Sequence, residues 1–277
     1  MVRKKSRLTK PLLFVLMTVI LVFFLFPFVI ALLNSFKPLS EILKNPLAAP
    51  EEFQLSNYVK AWETLNIPHA FMNTVIITGV SVLLLVLLTA MSSYWITRRR
   101  SRITVVLDKF IVGSALIPFA TIMLPLVLVI RNLNLIGTYA AGILTYIGIG
   151  FPLAYLIMKS AVKAIPLEMD EAAMLDGCTP LQTLFHIIFP LLRPTIATVV
   201  ISDVFWIWNE FQIALIFLNT RKLQTIQLAI NSMFGQYSTK WDIALPGLLI
   251  SIIPIVVLFL LMQKHVVSGI MKGAVKN

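Results

Sequence analysis

The chain has 277 residues, of which 58% are apolar and 13% charged, with a formal net charge of +11 and a mean hydropathy of +0.91. Soluble domains carry about 25% charged residues, so this balance excludes an ordinary water-soluble domain and makes a bilayer the natural solvent. The basic excess fits either a nucleic-acid partner or the cytoplasmic bias of membrane proteins, and topology decides between them.

A hydrocarbon core about 30 Å thick needs about 20 helical residues. Six apolar stretches are drawn at that length, approximately Pro11 to Leu33, Phe71 to Ile96, Val105 to Ile130, Tyr139 to Met158, Thr195 to Leu218 and Ile243 to Met262. The first follows Arg3, Lys4, Lys5, Arg7 and Lys10, as a signal peptide does. Its apolar stretch is too long for one and no small-residue cleavage site follows, so a retained helix is expected. With the N-terminus in the cytoplasm, sixteen basic residues fall inside and seven outside. That asymmetry predicts a multi-pass protein with both termini cytoplasmic, contacting membrane lipid and no nucleic acid. The long connections are then Asn34 to Ala70 and Asn219 to Asp242 outside, and Lys159 to Pro194 inside.

The inside connection is patterned rather than featureless. A proline at 166, early acids at Glu168, Asp170 and Glu171, and Gly177 at the end predict one short amphipathic helix over Ile165 to Gly177. Thr179 is placed to cap a second helix that starts with Pro180 and carries Leu181, Leu184, Phe185 and Ile188 at spacings of three and four. Gly177 supplies the turn between them. Ala172 and Ala173 are expected to form a smooth patch for close approach of another protein, with Glu171 and Asp176 at its rim. An ordinary interfacial amphipathic hairpin fits the same helix signals.

Taken together, Glu171-Ala172-Ala173, Asp176-Gly177, nine further residues, Ile187 and Pro190 resemble the EAA loop of ABC importer permeases, with Phe189 where the family usually has leucine. The resemblance implies an all-α integral membrane protein of six transmembrane helices with a cytoplasmic coupling helix-turn-helix, the type I importer permease fold. On that reading residues 1–277 form a single permease domain, 159–194 hold the coupling loop and 264–277 are a cytoplasmic tail. It also implies that Glu171, Ala172, Ala173, Asp176, Gly177 and Pro190 couple the chain to an ATPase. No Gly-x-x-x-x-Gly-Lys-Ser/Thr loop occurs, so the chain is expected to bind no cofactor and to be no enzyme, with ATP and Mg held by separate ATPase subunits. Two ATPase copies and a second permease are expected, since six helices are few for a gated central pathway. Cys178 is the only cysteine, and His69, His186 and His265 lie far apart, which argues against a disulfide or a metal site.

In the fifth stretch Asp203 and Glu210 interrupt the apolar run, each costing on the order of 2.5 to 3.5 kcal/mol near a helix centre. Their spacing of seven places both on one helical face, with Trp206 and Ile207 between them and Trp208 and Asn209 alongside. Carboxylates beside tryptophan suit a wet pathway for hydroxyl-rich sugars. Interhelical hydrogen bonding is the plainer reading.

The string Trp208-Asn209-Glu210-Phe211 with Ala214-Leu215 resembles the fifth-span signature of carbohydrate ABC permeases, and Ser268 to Lys276 resembles the tail of the second permease in maltose-type importers. That likeness implies a sugar or oligosaccharide as cargo, delivered by an extracytoplasmic solute-binding protein at a bacterial-type cytoplasmic membrane. It places Phe234, Gly235, Gln236 and Tyr237 at the binding protein and Gly269, Gly273 and Lys276 at the ATPase interface. A frayed basic terminus beside anionic lipid is the other reading of the tail. Two further function classes stand beside it: an ABC permease for a non-sugar solute, and a proton-coupled carrier using Asp203 and Glu210.

Overall fold

The computed structural model describes residues 9–235 and 238–274, with side chains placed at 11–235 and 238–261. Its elements are helical, apart from one isolated antiparallel bridge between Phe234 and Thr239. They fall into two compact units, Met1–Ile67 with Ala229–Ile253 and Pro68–Leu228 with Pro254–Asn277.

The first unit begins with α1 (Thr9–Ser35), whose large apolar side chains from Leu12 to Val29 are all 40% or more exposed. Such a helix is stable only if lipid or another chain covers it. The outer connection that follows is folded, with α2 (Leu39–Lys44) and α3 (Ser56–Thr64). Three buried polar side chains brace it: the Asn34 amide donates to the Pro46 carbonyl at 2.8 Å, the Lys37 ammonium to that of Asn45 at 3.1 Å, and the Asn57 amide to that of Lys37 at 2.8 Å. Each satisfies a carbonyl that the irregular backbone leaves without a ladder partner.

In the second unit α4 (Ile67–Arg98) leads into α5 (Arg102–Ser114), α6 (Phe119–Asn132) and α7 (Tyr139–Ala164). The expected third span is not one helix, because α5 and α6 meet at 112°. Pro118 is the physical reason: it has no N–H to continue the ladder and it disfavours helical backbone at Ile117. Beyond α7 come α8 (Glu168–Leu175), α9 (Pro180–Gln182), a π-helical turn over Thr183–Ile188, α10 (Phe189–Leu191) and α11 (Arg193–Asn209). The helical run Pro180–Leu191 bends by 77° into α11, where Pro194 has no N–H for the carbonyl of Pro190. α12 (Gln212–Phe217) follows in this unit, while α13 (Ile226–Asn231) and α14 (Trp241–Ala274) each contribute residues to both units. Among the described residues, four helices are long and apolar enough to cross a membrane by themselves, or up to six spans if each bent pair counts as one.

The core of this unit lies where α11 and α12 pack on α7, around Tyr146, Met158, Ile188 and Phe217, each at most 1% exposed. Lipid is as apolar as leucine, so close packing rather than transfer from water holds such helices together. Gly150 permits that approach, since a Cβ there would lie 3.1 Å from both Leu85 and the Trp206 ring.

Candidate coupling hairpin and pathway residues

The α7–α11 connection folds as a capped hairpin. Glu168, Asp170 and Glu171 occupy the first turn of α8, where the free N–H groups favour negative charge. At its other end the Gly177 N–H donates to the Met174 carbonyl at 3.0 Å and the Cys178 N–H to that of Ala173 at 2.9 Å. This paired closure is a Schellman motif, and it puts Gly177 at φ +82°, a backbone region that side chains with a Cβ disfavour. Thr179 then opens the second arm with a capping box: its hydroxyl accepts from the Gln182 N–H, and the Gln182 side chain accepts from the Thr179 N–H at 2.8 Å. Thr179, Pro180 and Gly177 thus do what their chemistry predicts.

The second arm differs from the expected even helix. Its π-turn precedes Pro190, which has no N–H for the carbonyl of His186, and widening the turn accommodates that gap. The predicted apolar stripe therefore divides. Leu184 and Ile188 are buried, whereas Leu181 and Phe185 are 60% and 40% exposed.

The alanine patch also needs correction. Ala173 is buried, because its place in α8 turns it toward the second arm, and only Ala172 is exposed. Glu171, Asp176 and Gly177 are exposed, as the docking reading requires, and Pro190 is half-buried. The most prominent surface at the turn is apolar: Met174 is 55% and Leu175 89% exposed. Neither stood out in the sequence, where an apolar residue at the end of a short helix reads as core.

Asp170 anchors the hairpin to the membrane-spanning helices. It is 2% exposed and lies 2.9 Å from the Arg98 guanidinium at the end of α4, and the same guanidinium donates to the Ile165 carbonyl at 3.0 Å. A neighbouring pair, Asp108 of α5 with Lys159 of α7, is joined by the Tyr155 hydroxyl, which donates to Asp108 at 2.8 Å. No sequence spacing connects these residues.

The fifth-span residues separate into two places. α11 ends at Asn209, so Glu210 does not share a helical face with Asp203. The Glu210 carboxylate instead accepts from the Gln212 N–H at 2.7 Å and the Ile213 N–H at 2.9 Å, capping α12, and from the Tyr146 hydroxyl at 3.0 Å. A helix break serves the charge here by giving it free backbone donors. Trp208 is buried edge-to-face against Phe71, and the exposed Asn209 amide donates to the Phe205 carbonyl. Asp203 and Trp206 stay together, lining a cavity of about 430 Å³ beside the α5–α6 break. Asp203 is 6% exposed, and one of its carboxylate oxygens is buried with no hydrogen-bond partner.

In the outer connection, Phe234 packs edge-to-face on Trp241 and the Gly235 N–H donates to the Ser238 carbonyl at 3.0 Å. Gln236, Tyr237 and Lys276 lie outside the described residues, and Gly269 and Gly273 fall within the helical backbone of α14.

Long apolar helices joined by a capped, exposed hairpin define a multi-pass membrane protein. The chain belongs to the family of binding-protein-dependent transport system inner membrane components, whose description matches residues 86–272. It is a membrane permease component of an ABC importer and not an enzyme. It is 35% identical over 274 residues to the probable starch degradation products transport system permease protein AmyC of Thermoanaerobacterium thermosulfurigenes, spanning 99% of this chain and 100% of that one. It is 32% identical to the melibiose/raffinose/stachyose import permease protein MelC of Bacillus subtilis, over 91% of each chain. Its fold is similar to a chain in the crystal structure of a bacterial ABC transporter involved in the import of the acidic polysaccharide alginate. That match has a TM-score of 0.79 at 19% identity and covers 95% of this chain and 98% of the other.

Proposed function

We propose that this permease carries a sugar or oligosaccharide into the cell, received from an extracytoplasmic solute-binding protein, and that residues 159–194 form its coupling loop. In this account both termini and the hairpin face the cytoplasm, and a second permease pairs with this chain. Two ATPase subunits, which hold ATP and Mg, close against the hairpins of the two permeases. The observation that carries the coupling role is the turn itself. A Schellman closure and a capping box fix its shape, and Leu175 projects apolar surface from its tip. Exposed apolar groups at the end of a rigid, polar-rimmed element favour a protein partner.

Glu171, Ala172, Asp176 and Gly177 supply the rest of the docking surface. Ala173 and Pro190 shape the hairpin from within. Asp203 and Trp206 line the pathway, where a carboxylate and an aromatic face suit a hydroxyl-rich ring. Glu210 and Tyr146 hold the α11–α12 break, with Trp208 and Asn209 packed beside it. Phe234 to Tyr237 face the binding protein, and the tail bearing Gly269, Gly273 and Lys276 reaches the ATPase. Support for sugar as cargo comes from the names of the relatives, which include starch products, melibiose and raffinose.

The test is a glycan-panel screen of the cognate binding protein, followed by uptake of the selected glycan into proteoliposomes containing the assembled transporter. ATP-dependent uptake of a selected sugar is expected. A binding protein that ignores every glycan and takes an amino acid, polyamine or phosphate instead would overturn the cargo assignment.

A further inference from the structure

A notch of about 490 Å³ opens between the end of α4, the start of α5 and the end of α7, and it shares no lining residue with the cavity beside Asp203 and Trp206. Its walls carry Arg98, Arg100, Lys159 and Lys163 against a single carboxylate, Asp108. Asp108 is paired with Lys159, and Arg98 turns to Asp170 behind the wall. Arg100 and Lys163 are exposed and, among the described residues, have no carboxylate within ion-pair distance. The notch therefore keeps an uncompensated positive charge. Phosphate oxygens fit this wall, since they carry the missing charge and accept hydrogen bonds from guanidinium and ammonium groups.

The position decides which phosphate. The span Ile67–Arg98 ends in the notch, the next helix starts at Arg102, and the span Tyr139–Ala164 ends beside it. The notch thus lies where membrane helices leave the hydrocarbon. Leu88, Met91 and Trp95 on α4 are 43%, 41% and 50% exposed, and their spacing of three and four continues to Arg98. They form an apolar stripe along one helical face that runs into the cationic wall. Trp95, with the Arg99 guanidinium 4.3 Å over its ring, has the amphipathic character of residues at the headgroup level. A cationic cup with an apolar stripe leading from it matches a phospholipid better than a free anion, which needs no stripe.

We infer that this notch binds the headgroup phosphate of an anionic phospholipid, with an acyl chain lying along Leu88, Met91 and Trp95. Basic pockets between membrane helices on the cytoplasmic side bind such headgroups by the same electrostatics. Because Arg98 forms one wall and also holds Asp170 of α8, the bound lipid sits next to the anchor of the coupling hairpin.

The experiment uses the assembled transporter in nanodiscs of mixed phosphatidylglycerol and phosphatidylcholine, with retained lipid counted by native mass spectrometry. The wild-type complex is expected to retain phosphatidylglycerol preferentially. Arg100→Gln/Lys163→Gln should reduce that preference roughly thirtyfold, since each basic residue near an anionic surface contributes on the order of fivefold. Arg100→Lys/Lys163→Arg should keep it, and so should Arg221→Gln/Lys222→Gln at a distant exposed site. In the unaltered complex, a photoactivatable phosphatidylglycerol should label residues 88–105. Undiminished preference in the double glutamine variant, or labelling confined to other segments, would overturn the inference. So would a photocrosslinker at Arg100 that captures the ATPase subunit, because the notch would then be a protein contact.

Discussion

Removing Arg98 tests how the hairpin is tied to the membrane helices. Arg98→Met leaves the Asp170 carboxylate, 2% exposed, without its cation, and the Ile165 carbonyl loses its guanidinium donor. Breaking one side of a buried ion pair costs about 3 to 5 kcal/mol, whereas replacing both partners by apolar groups is often neutral. The Arg98 side chain keeps 13% of its exposure and Asp170 3%, so solvent screening relieves little of that cost, and we take about 3 kcal/mol as the working figure. If the loss falls on local opening of the hairpin, it corresponds to roughly a 150-fold rise in amide exchange over residues 165–177. The assay is hydrogen exchange on the assembled transporter, with coupled ATP hydrolysis measured in parallel. Arg98→Met and Asp170→Leu should each accelerate exchange and raise the ATP hydrolysed per molecule transported. The double variant Arg98→Met/Asp170→Leu should recover most of both. Wild-type exchange in the single variants, or no recovery in the double variant, would refute the reasoning.

The other predictions concern single features of the same two sites. Gly177→Ala puts a Cβ at φ +82° and should destabilise the turn by about 1 kcal/mol, read as faster exchange of the Gly177 and Cys178 amides. Glu210→Ala removes the cap of α12 and the acceptor for Tyr146, so a loss of about 1 to 2 kcal/mol in thermal or denaturant stability is expected, with Glu210→Gln intermediate. Trp206→Ala and Asp203→Ala should each lower the rate of sugar uptake at least several-fold while ATPase docking stays intact, as scored by co-purification. Unchanged uptake in both variants would remove this cavity from the pathway while leaving the sugar-importer reading standing.

Much of the fold was legible because hydropathy over about 20 residues is a strong signal and cap chemistry is local. Thr179, Pro180 and Gly177 announce the hairpin through interactions that reach only three to five residues. Pro118 also carried the signal for the α5–α6 break, but an unbroken apolar composition masked it. Glu210 was harder to read, because a carboxylate that caps the next helix and one that interrupts a helix have the same sequence. Side-chain direction explains the error at Ala172 and Ala173: adjacent helical positions point about 100° apart, so one alanine faces out and its neighbour faces in. The Arg98–Asp170 pair joins residues from separate helices and was invisible without the three-dimensional arrangement.

The central claim is that the turn of the hairpin seats an ATPase subunit. A photoreactive amino acid at Leu175, in transporter assembled in native membranes, tests it most directly. The account predicts a crosslink to the ATPase that weakens when Glu171→Lys is added. Crosslinks only to lipid or to the second permease, with none to the ATPase, would contradict it.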